Sequence, residues 1–121
     1  MFGPLRYLYV GSADVAADLA AWTKAGAQVV WDKTGFDTRV AAVRVGEGPL
    51  WLVAGHRPAP SILPIFAVPD LKAAVKAIKA GGWKPEGPMV EVPDGPVRLF
   101  KDPSGNEIAL LEETRPNAFG V

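Results

Sequence analysis

The sequence has no cysteine and only one histidine, His56. Without cysteine the chain can form no disulfide framework, no thiolate nucleophile and no metal site with sulfur ligands. A composition free of cysteine suits a reducing compartment, so we predict a cytoplasmic protein.

An excess of charge of one sign is also missing, because 13 Lys and Arg residues balance 13 Asp and Glu residues. There is no basic block or acidic tail, and we therefore predict no nucleic-acid partner. No apolar run approaches the roughly 20 residues that a membrane span needs. The first residues, MFGPLRYLYV, lack the basic and apolar regions of a signal peptide, so we predict no signal peptide and no membrane partner.

What the sequence does contain is a repeat. The segment ADVAADLAAWTKAGA begins at Ala13, and PDLKAAVKAIKAGGW begins at Pro69, which is an offset of 56 residues. In each copy an aspartate, Asp14 or Asp70, stands where it would cap a helix N-terminus. Apolar residues then recur at i, i+4 and i+7, which is the spacing of one helix face, and a glycine closes each copy. The repeat predicts two amphipathic helices and places Trp22 in the core.

Strand-like segments surround both predicted helices. RYLYV precedes the first helix and LPIFAV the second, and three short β-rich runs separated by Gly, Pro and Asp turns follow each. This pattern predicts an α+β fold of two tandem βαβββ modules in a single domain, residues 1–121, which buries roughly two-thirds of its unfolded surface. The predicted boundaries are about 5–55 for module one, 56–61 for a linker, about 62–113 for module two and 114–121 for a C-terminal tail.

The clearest motif is DPSGNEIALLE, from Asp102 to Glu112, which has the pattern of a tight turn followed by a strand. Asp102 and Asn106 are typical turn formers, and Gly105 tolerates a backbone conformation that other residues resist. Together with the duplicated βαβββ pattern, the motif resembles the vicinal oxygen chelate superfamily, which includes glyoxalase I, the extradiol dioxygenases and the bleomycin-resistance proteins. The resemblance spans about residues 5–112 and implies a cup-shaped, curved antiparallel sheet.

In that superfamily, metal enzymes bind a divalent ion at the floor of the cup, through residues of the first and last strands of each module. The positions that resemble these ligand sites are Tyr7, Val53, Leu63 and Ala109. None provides the imidazole or carboxylate that such an ion prefers, and one tyrosine does not hold a divalent ion alone. We therefore predict no metal and no other cofactor.

Strand alternation predicts which side chains line the cup. Ile108 and Leu110 are expected to pack under the helices, which turns their neighbours inward, and inward aromatic rings suit a flat ligand. Arg39 and Arg98 would either anchor an anionic ligand or pair with a nearby acid. The predicted ligand-binding residues are Tyr7, Tyr9, Trp51, Val53, Leu63, Ile65, Arg98, Phe100, Glu107, Ala109 and Leu111.

The leading hypothesis is a metal-independent binding protein for a flat or apolar small molecule, similar to the drug-sequestering branch of the superfamily. Bleomycin binders are acidic and this chain is neutral, so bleomycin itself is not the expected ligand. One alternative is a glyoxalase-like lyase, an isomerase or a dioxygenase-like enzyme with non-standard catalytic residues, for which His56 and Glu107 are the candidates. If they have no catalytic role, we expect both to be exposed or ion-paired residues at the rim of the cup. A second alternative is a non-catalytic structural dimer whose cup is filled by its own side chains.

The expected partners are an apolar or aromatic small molecule and a second copy of the chain. Open strand edges and the pairing habit of the superfamily predict a homodimer. The tail TRPNAFGV, which contains Phe119, is a candidate cover for the cup of the neighbouring copy.

Overall fold

A computed structural model describes residues 2–35 and 37–115 of the 121-residue chain. Within these residues the chain forms eight strands and two helices, which confirms the predicted α+β class. In chain order the elements are β1 (Leu5–Gly11), α1 (Val15–Lys24), β2 (Gln28–Gly35), β3 (Thr38–Arg44), β4 (Leu50–Ala54), β5 (Ile62–Val68), α2 (Leu71–Ala80), β6 (Lys84–Val92), β7 (Gly95–Lys101) and β8 (Glu107–Glu112). Phe119, the proposed cover of a neighbouring cup, lies outside the described residues.

The described chain divides into two compact units, residues 7–63 and residues 2–6 together with 64–115. The strands of the first module follow the order β2-β3-β4-β1, and those of the second follow the order β5-β8-β7-β6. Along the chain, each module has one strand before its helix and three after it, which is the predicted βαβββ pattern.

Each module contains one parallel strand pair beside its antiparallel hairpins. β1 pairs with β4 and β5 pairs with β8 in parallel, whereas the β2–β3, β3–β4, β6–β7 and β7–β8 pairs are antiparallel. The prediction of an antiparallel sheet is therefore wrong, and the strand pairing is mixed. The helix carries the chain back, so that the next strand starts in the direction of the first. Two hairpin reversals then leave the last strand of each module parallel to its first strand.

Both helices begin at the predicted aspartate. Oδ1 of Asp14 accepts a hydrogen bond from the backbone N–H of Ala17 at 3.1 Å, and Oδ1 of Asp70 accepts one from Ala73 at 3.2 Å. These bonds satisfy amides that the first helical turn leaves without a helical partner. In the described part of the chain, neither helix is long and apolar enough to cross a membrane.

The core of each module lies between its helix and one face of its strands. Under α1 the buried side chains are Val15, Leu19, Ala27, Ala41, Val43 and Val53, with Trp22, Val45 and Trp51 packed against them. Under α2 they are Val68, Leu71, Ala74, Ile78, Phe100 and Leu110, with Phe66, Val75, Trp83 and Ile108 packed against them. Leu110 and Ile108 pack under α2 as predicted, and Trp22, on α1, packs against the core of its module while partly exposed.

The first residues of the chain pack on β5. The N–H of Gly3 donates to the carbonyl of Ala67 at 2.8 Å, and the N–H of Ala67 donates to the carbonyl of Pro4 at 2.9 Å. The rings of Phe2 and Phe66 lie 5.2 Å apart. Because this segment precedes the repeat, the repeat does not predict where it packs.

The turn between β7 and β8 forms as the DPSGN motif predicts. Oδ1 of Asp102 accepts hydrogen bonds from the backbone N–H groups of Asn106 at 2.8 Å and Ser104 at 3.0 Å, and Oδ2 accepts one from the Asn106 side chain at 3.0 Å. Gly105 has a φ of 88°, which a side chain would make unfavourable. The hydrogen bonds from Asn106, aided by those from Ser104 and Gly105, lower the pKa of the Asp102 carboxyl because they stabilise its charged form.

The linker between β4 and β5 packs against Gly11, the last residue of β1. The N–H of Gly11 donates to the carbonyl of Ser61 at 3.0 Å, and the Ser61 hydroxyl donates to the carbonyl of Pro58. A Cβ at position 11 would lie 1.9 Å from the carbonyl oxygen of Pro58, far inside contact distance. Glycine is therefore required where the linker approaches β1.

A carboxylate of β8 provides a second cap for α2. Oε1 of Glu112 accepts a hydrogen bond from the N–H of Leu71, the first residue of α2, at 2.8 Å. Its negative charge also lies at the positive end of the helix dipole. The next residue, Glu113, instead pairs with Arg6, with 2.7 Å between Oε1 and Nη2.

We expect Glu112→Ala to lower the free energy of unfolding by about 1–2 kcal/mol, because the amide of Leu71 loses its charged partner. Glu113→Ala is the matched control and should lower it by less than about 1 kcal/mol, because the ion pair with Arg6 is at the surface. Urea unfolding followed by circular dichroism measures both values. Equal losses in the two variants would contradict the capping role of Glu112.

Candidate functional site

The strands of the first module carry one set of side chains on the face away from α1. In the parallel pair, Tyr7 lies beside Leu50 and Tyr9 beside Leu52, and the β3–β4 pair adds Ala42 beside Leu52. Side chains of laterally paired residues point to the same face of a sheet. The register therefore places both tyrosines away from the helix, which is the orientation that alternation predicts.

The prediction that Trp51 and Val53 share this face is wrong. Val53 is 0% exposed within the α1 core. The ring of Trp51 packs against that of Trp22, with 5.3 Å between the ring centroids. Both residues contribute to the stability of the first module from the helix side of β4.

The cause of this error is a difference of one residue between the modules. Tyr9 pairs with Leu52, whereas Ile65, its counterpart in the repeat, pairs with Ala109. The offset from β4 to β8 is therefore one residue longer than the offset from β1 to β5. A shift of one residue exchanges the two faces of a strand, so the repeat assigned β4 to the wrong face.

In the second module, β5 and β8 present the predicted side chains on the face away from α2. Ala67 pairs with Leu111 and Ile65 with Ala109, and alternation along both strands continues this face. The predicted residues on this face are Leu63, Ile65, Glu107, Ala109 and Leu111.

The prediction that Arg98 and Phe100 line the face away from α2 is wrong. Val97 pairs with Leu111 and Leu99 with Ala109, so Val97 and Leu99 occupy that face of β7. Phe100 is 0% exposed in the α2 core, and the guanidinium carbon of Arg98 lies 5.9 Å from its ring centre. The sequence grouped Arg98 with Phe100 correctly, but only the pairing with β8 defines which face they occupy.

With the register corrected, the positions that the resemblance assigns to metal ligands are Tyr7, Leu52, Leu63 and Ala109. They offer one phenol and no imidazole or carboxylate, which are the groups that a divalent ion prefers. Among the residues that the structure describes, no three His, Cys, Asp or Glu side chains are placed to hold a metal ion. The side chains at these positions do not fit a divalent ion.

Many side chains on these faces are buried, and the first module carries a group of more accessible side chains near the end of β4. Leu52 is 4% exposed and Ala109 is 0% exposed, so neither offers surface to a ligand. Side chains with accessible surface converge after the end of β4. We call this group the His56 corner, and its members are Tyr9, Thr38, His56 and Arg57.

The His56 corner is assembled by strand alternation. His56 follows Ala54 by two residues, and Ala54 lies on the tyrosine face of β4. Val40 pairs with Ala54, which brings Thr38 opposite His56. Oγ1 of Thr38 lies 3.4 Å from Nδ1 of His56, and the Tyr9 ring contacts the His56 ring edge-on, with centroids 5.5 Å apart and planes at 71°.

The environment shifts the pKa values of two groups in the corner. Burial raises the pKa of the Tyr9 hydroxyl, and the positive charge of Arg57 offsets part of this effect. His56 is exposed as a residue, yet the partial burial of its ring lowers its pKa, and the charge of Arg57 lowers it further. Near pH 7 the phenol therefore keeps its proton, and the imidazole is mainly neutral, with one nitrogen that accepts a hydrogen bond and one that donates.

Two charged residues considered from the sequence, Arg39 and Glu107, lie beside residues of opposite charge. Arg39 donates from Nε to Oδ1 of Asp32 at 2.9 Å and from Nη2 to Oδ2 at 2.6 Å, which is the pairing with an acid foreseen as one of its two roles. The hydrogen bond from Arg39 lowers the pKa of Asp32. In the second module, the half-buried Glu107 lies opposite Lys101.

Sequence reasoning found Tyr9 and His56 but missed Thr38 and Arg57. The signal for Thr38 was the β3–β4 hairpin, since a correct register puts it opposite His56. Arg57 lies in a proline-rich linker, where no periodicity indicates the direction of a side chain.

Comparison with known proteins gives a family match and a set of similar folds. The chain matches the Glyoxalase/Bleomycin resistance protein/Dioxygenase superfamily over residues 7–110. A comparison with curated proteins gives no match. The chain is similar to a variant of Streptomyces coelicolor methylmalonyl-CoA epimerase in complex with 2-nitronate-propionyl-CoA, at a TM-score of 0.74 and 12% identity, over 94% of this chain and 96% of that chain.

Two further structures show the same fold. Methylmalonyl-CoA epimerase from Mycobacterium tuberculosis has a TM-score of 0.74 and 16% identity, over 98% of this chain and 92% of that chain. A hypothetical protein from Bacillus halodurans C-125 has a TM-score of 0.75 and 11% identity, over 92% of this chain and 94% of that chain. At these identities the likeness establishes the fold.

The lowered pKa of His56 predicts a pH-dependent contribution to stability. Above the unfolded pKa of 6.5 the neutral ring carries no penalty, and stability falls as the pH drops through that value towards the folded pKa. We expect His56→Gln to lose less stability than the wild type between about pH 7.5 and about pH 5.5. Urea midpoints at the two pH values test this, and equal losses in both proteins would show that the ring is not perturbed. The pKa values of Asp32 and Asp102 lie below the ordinary carboxyl value of 3.8, so these groups do not contribute in this window.

Proposed function

This chain belongs to the Glyoxalase/Bleomycin resistance protein/Dioxygenase superfamily, and we propose that within it the chain binds a small organic molecule without the help of a metal ion. The proposed ligand is flat and apolar or aromatic. The proposed contact site on the first module is the His56 corner.

The observation that carries this proposal is the set of side chains at the four metal-ligand positions. Tyr7, Leu52, Leu63 and Ala109 provide one phenol and three groups without a ligand atom. The metal chemistry of such folds uses an ion to polarise oxygen or to activate water. Binding alone requires no ion, so these four residues are compatible with a binding protein.

The composition of the His56 corner supports the same proposal. Sites for small molecules combine apolar contact surface with a few placed polar groups. The half-buried Tyr9 ring offers a flat surface, while the Thr38 hydroxyl and the His56 imidazole offer hydrogen-bonding groups beside it. The raised pKa of Tyr9 keeps its hydroxyl available as a donor.

One observation favours an enzyme as a second candidate. The lowered pKa of His56 leaves its imidazole unprotonated near pH 7, so it can accept a proton, and Tyr9 contacts the same ring. The similar structures include methylmalonyl-CoA epimerases, one of them in complex with methylmalonyl-CoA and NH4+. In this candidate function His56 removes the proton next to a thioester carbonyl, and a proton returns to the other face of the carbon.

A homodimer and a cytoplasmic location belong to the same proposal. One end strand of each order, β2 in the first module and β6 in the second, exposes an apolar residue, namely Val29 at 46% and Val90 at 49%. Exposed apolar residues on outer strands support pairing with a second copy of the chain.

We expect a thermal-shift screen of flat aromatic compounds and acyl-CoA esters to yield a ligand that raises Tm, since a ligand at 100 times its Kd stabilises the folded state by about 2.7 kcal/mol. Tyr9→Ala should weaken that ligand by about tenfold or more, because it removes the aromatic contact. Tyr9→Phe retains the ring, so any affinity that it loses is the contribution of the hydroxyl to binding. Glu47→Ala, at an exposed position away from the corner, is the control and should bind normally.

Two outcomes would contradict the binding proposal. Stoichiometric zinc, nickel or iron in protein purified without chelator would show that a metal is held in spite of these side chains. The absence of any shift across a broad library would favour the structural alternative, which the burial of Leu52 and Ala109 also supports.

The enzyme candidate makes a separate prediction. If His56 exchanges a proton at carbon, methylmalonyl-CoA in D2O should lose its α-proton NMR signal faster with the wild type than with His56→Gln. As a binding protein, the chain should give the same slow exchange in both cases. Glu47→Gln, an exposed substitution away from the corner, controls for preparation differences.

A further inference from the structure

The imidazole of His56 is held in place by contacts from two other strands. The backbone N–H of Gly55 donates to the carbonyl of Arg39 at 3.0 Å, which ties the residue before His56 to the residue after Thr38. Oγ1 of Thr38 lies 3.4 Å from Nδ1 of His56, and the Tyr9 ring packs edge-on against the imidazole, with 5.5 Å between the centroids. These contacts restrict the orientation of the ring and distinguish its two nitrogens.

Only one of the two ring nitrogens has a partner among the described residues. Nδ1 lies within hydrogen-bond distance of the Thr38 hydroxyl, whereas Nε2 forms no hydrogen bond with any described residue. His56 is exposed as a residue. Nε2 is therefore the nitrogen that remains for a ligand.

Two arrangements of protons fit the contact between Thr38 and His56. In the first, the Thr38 hydroxyl donates to Nδ1, and the ring proton lies on Nε2. In the second, Nδ1 carries the ring proton and donates to the hydroxyl oxygen, which leaves a lone pair on Nε2. A ligand at Nε2 would meet a donor in the first arrangement and an acceptor in the second.

The first arrangement leaves fewer polar groups without a partner. In the described part of the chain the Thr38 hydroxyl has no other hydrogen-bond partner, so in the second arrangement its proton has no acceptor there. Thr38 is half-buried, and leaving a polar group unpaired is costly away from water. An imidazole nitrogen is also more basic than a hydroxyl oxygen, which makes it the better acceptor. The lowered pKa of His56 keeps this lone pair on the neutral ring near pH 7.

We propose that Thr38 is a positioning residue that holds His56 in the tautomer with its proton on Nε2. The His56 corner then presents an N–H donor, and the ligand class narrows to flat apolar molecules that carry a hydrogen-bond acceptor such as a carbonyl oxygen. This inference rests on the proposed binding function, because it names the polar group of the same ligand. It counts against the enzyme candidate, since Nδ1 is engaged and a protonated Nε2 cannot take a proton from carbon.

Nitrogen NMR of the ligand-free protein measures the tautomer directly, because His56 is the only histidine and its signals need no assignment. In isotope-labelled protein without a histidine tag, at about pH 8, we expect a pyrrole-like shift for Nε2 and a pyridine-like shift for Nδ1. The shifts should correspond to an excess of this tautomer of about tenfold or more. A ring proton mainly on Nδ1 would overturn the inference and favour the enzyme candidate.

Variants at position 38 test whether the hydroxyl selects the tautomer. Thr38→Val replaces the hydroxyl with a methyl group and should lower the tautomer ratio by about threefold or more, whereas Thr38→Ser keeps a hydroxyl and should restore the ratio. Thr34→Val is the matched control, because Thr34 pairs with Arg39 and so lies on the opposite face of the hairpin from Thr38. A ratio that Thr38→Val leaves unchanged would overturn the role of Thr38.

Circular dichroism confirms that each variant is folded. If Thr38→Val does not fold, the wild-type tautomer and the comparison of two ligands still decide the question. The two ligands are 1-indanone and indane, which share a flat bicyclic frame and differ by one carbonyl oxygen.

In titrations of the full chain we expect 1-indanone to bind about threefold or more tightly than indane, because its carbonyl accepts a hydrogen bond from Nε2. His56→Phe keeps an aromatic ring without an N–H group and should bring this affinity ratio close to one. Thr34→Val should leave the affinity ratio intact.

The outcomes separate this inference from the proposed function. Equal affinity for the two ligands overturns the proposed ligand class and leaves the binding proposal standing. An affinity ratio that survives His56→Phe overturns the assignment of the donor to His56. Failure of both ligands to bind, up to their solubility limits, counts against the ligand class and the binding proposal together, while the tautomer of the ligand-free protein still decides the role of Thr38.

Discussion

Strand register is the constraint on which the other features of the first module depend. The pairing of Tyr9 with Leu52 decides which side chains pack under α1 and which face the other way. Trp51 fills the space against Trp22 only in this register, and His56 reaches Tyr9 and Thr38 only because Ala54 shares their face. A slip by one residue would exchange both sets at once, so the core and the candidate site are specified by the same pairing.

The features that sequence alone could predict are those created by local chemistry. Asp14 and Asp70 cap their helices, and Asp102 closes its turn, through bonds that span a few residues. The face of β4 depends on its pairing with β1, far along the chain, and the face of β7 depends on its register with β8. The helix repeat does not reveal that the first module is one residue shorter before its last strand, so Trp51 and Val53 were assigned to the wrong face. The parallel pairs were missed for a similar reason, since strand direction follows from the whole path of the chain.

The candidate site likewise combines residues that local patterns predict with residues that only the fold brings into place. Tyr9 was predictable from alternation in β1, and His56 from being the one imidazole in the sequence. Thr38 and Arg57 were not, because one requires the hairpin register and the other lies in an irregular linker. The corrected register replaces Val53 with Leu52, which is an equally poor metal ligand. Membership of the superfamily thus describes the scaffold, while the chemistry must be inferred from side chains that the superfamily pattern does not specify.

Gly11 sets a limit on which positions around the His56 corner can be varied without moving the main chain. The linker that carries His56 and Arg57 rests on the backbone of β1 at this glycine, so any side chain there would displace both residues together. Thr38 and Arg57 differ from Gly11 because their side chains reach the corner without contributing the backbone contact. A library that varies these two positions and retains Gly11 would change the side chains of the corner on an unchanged main chain.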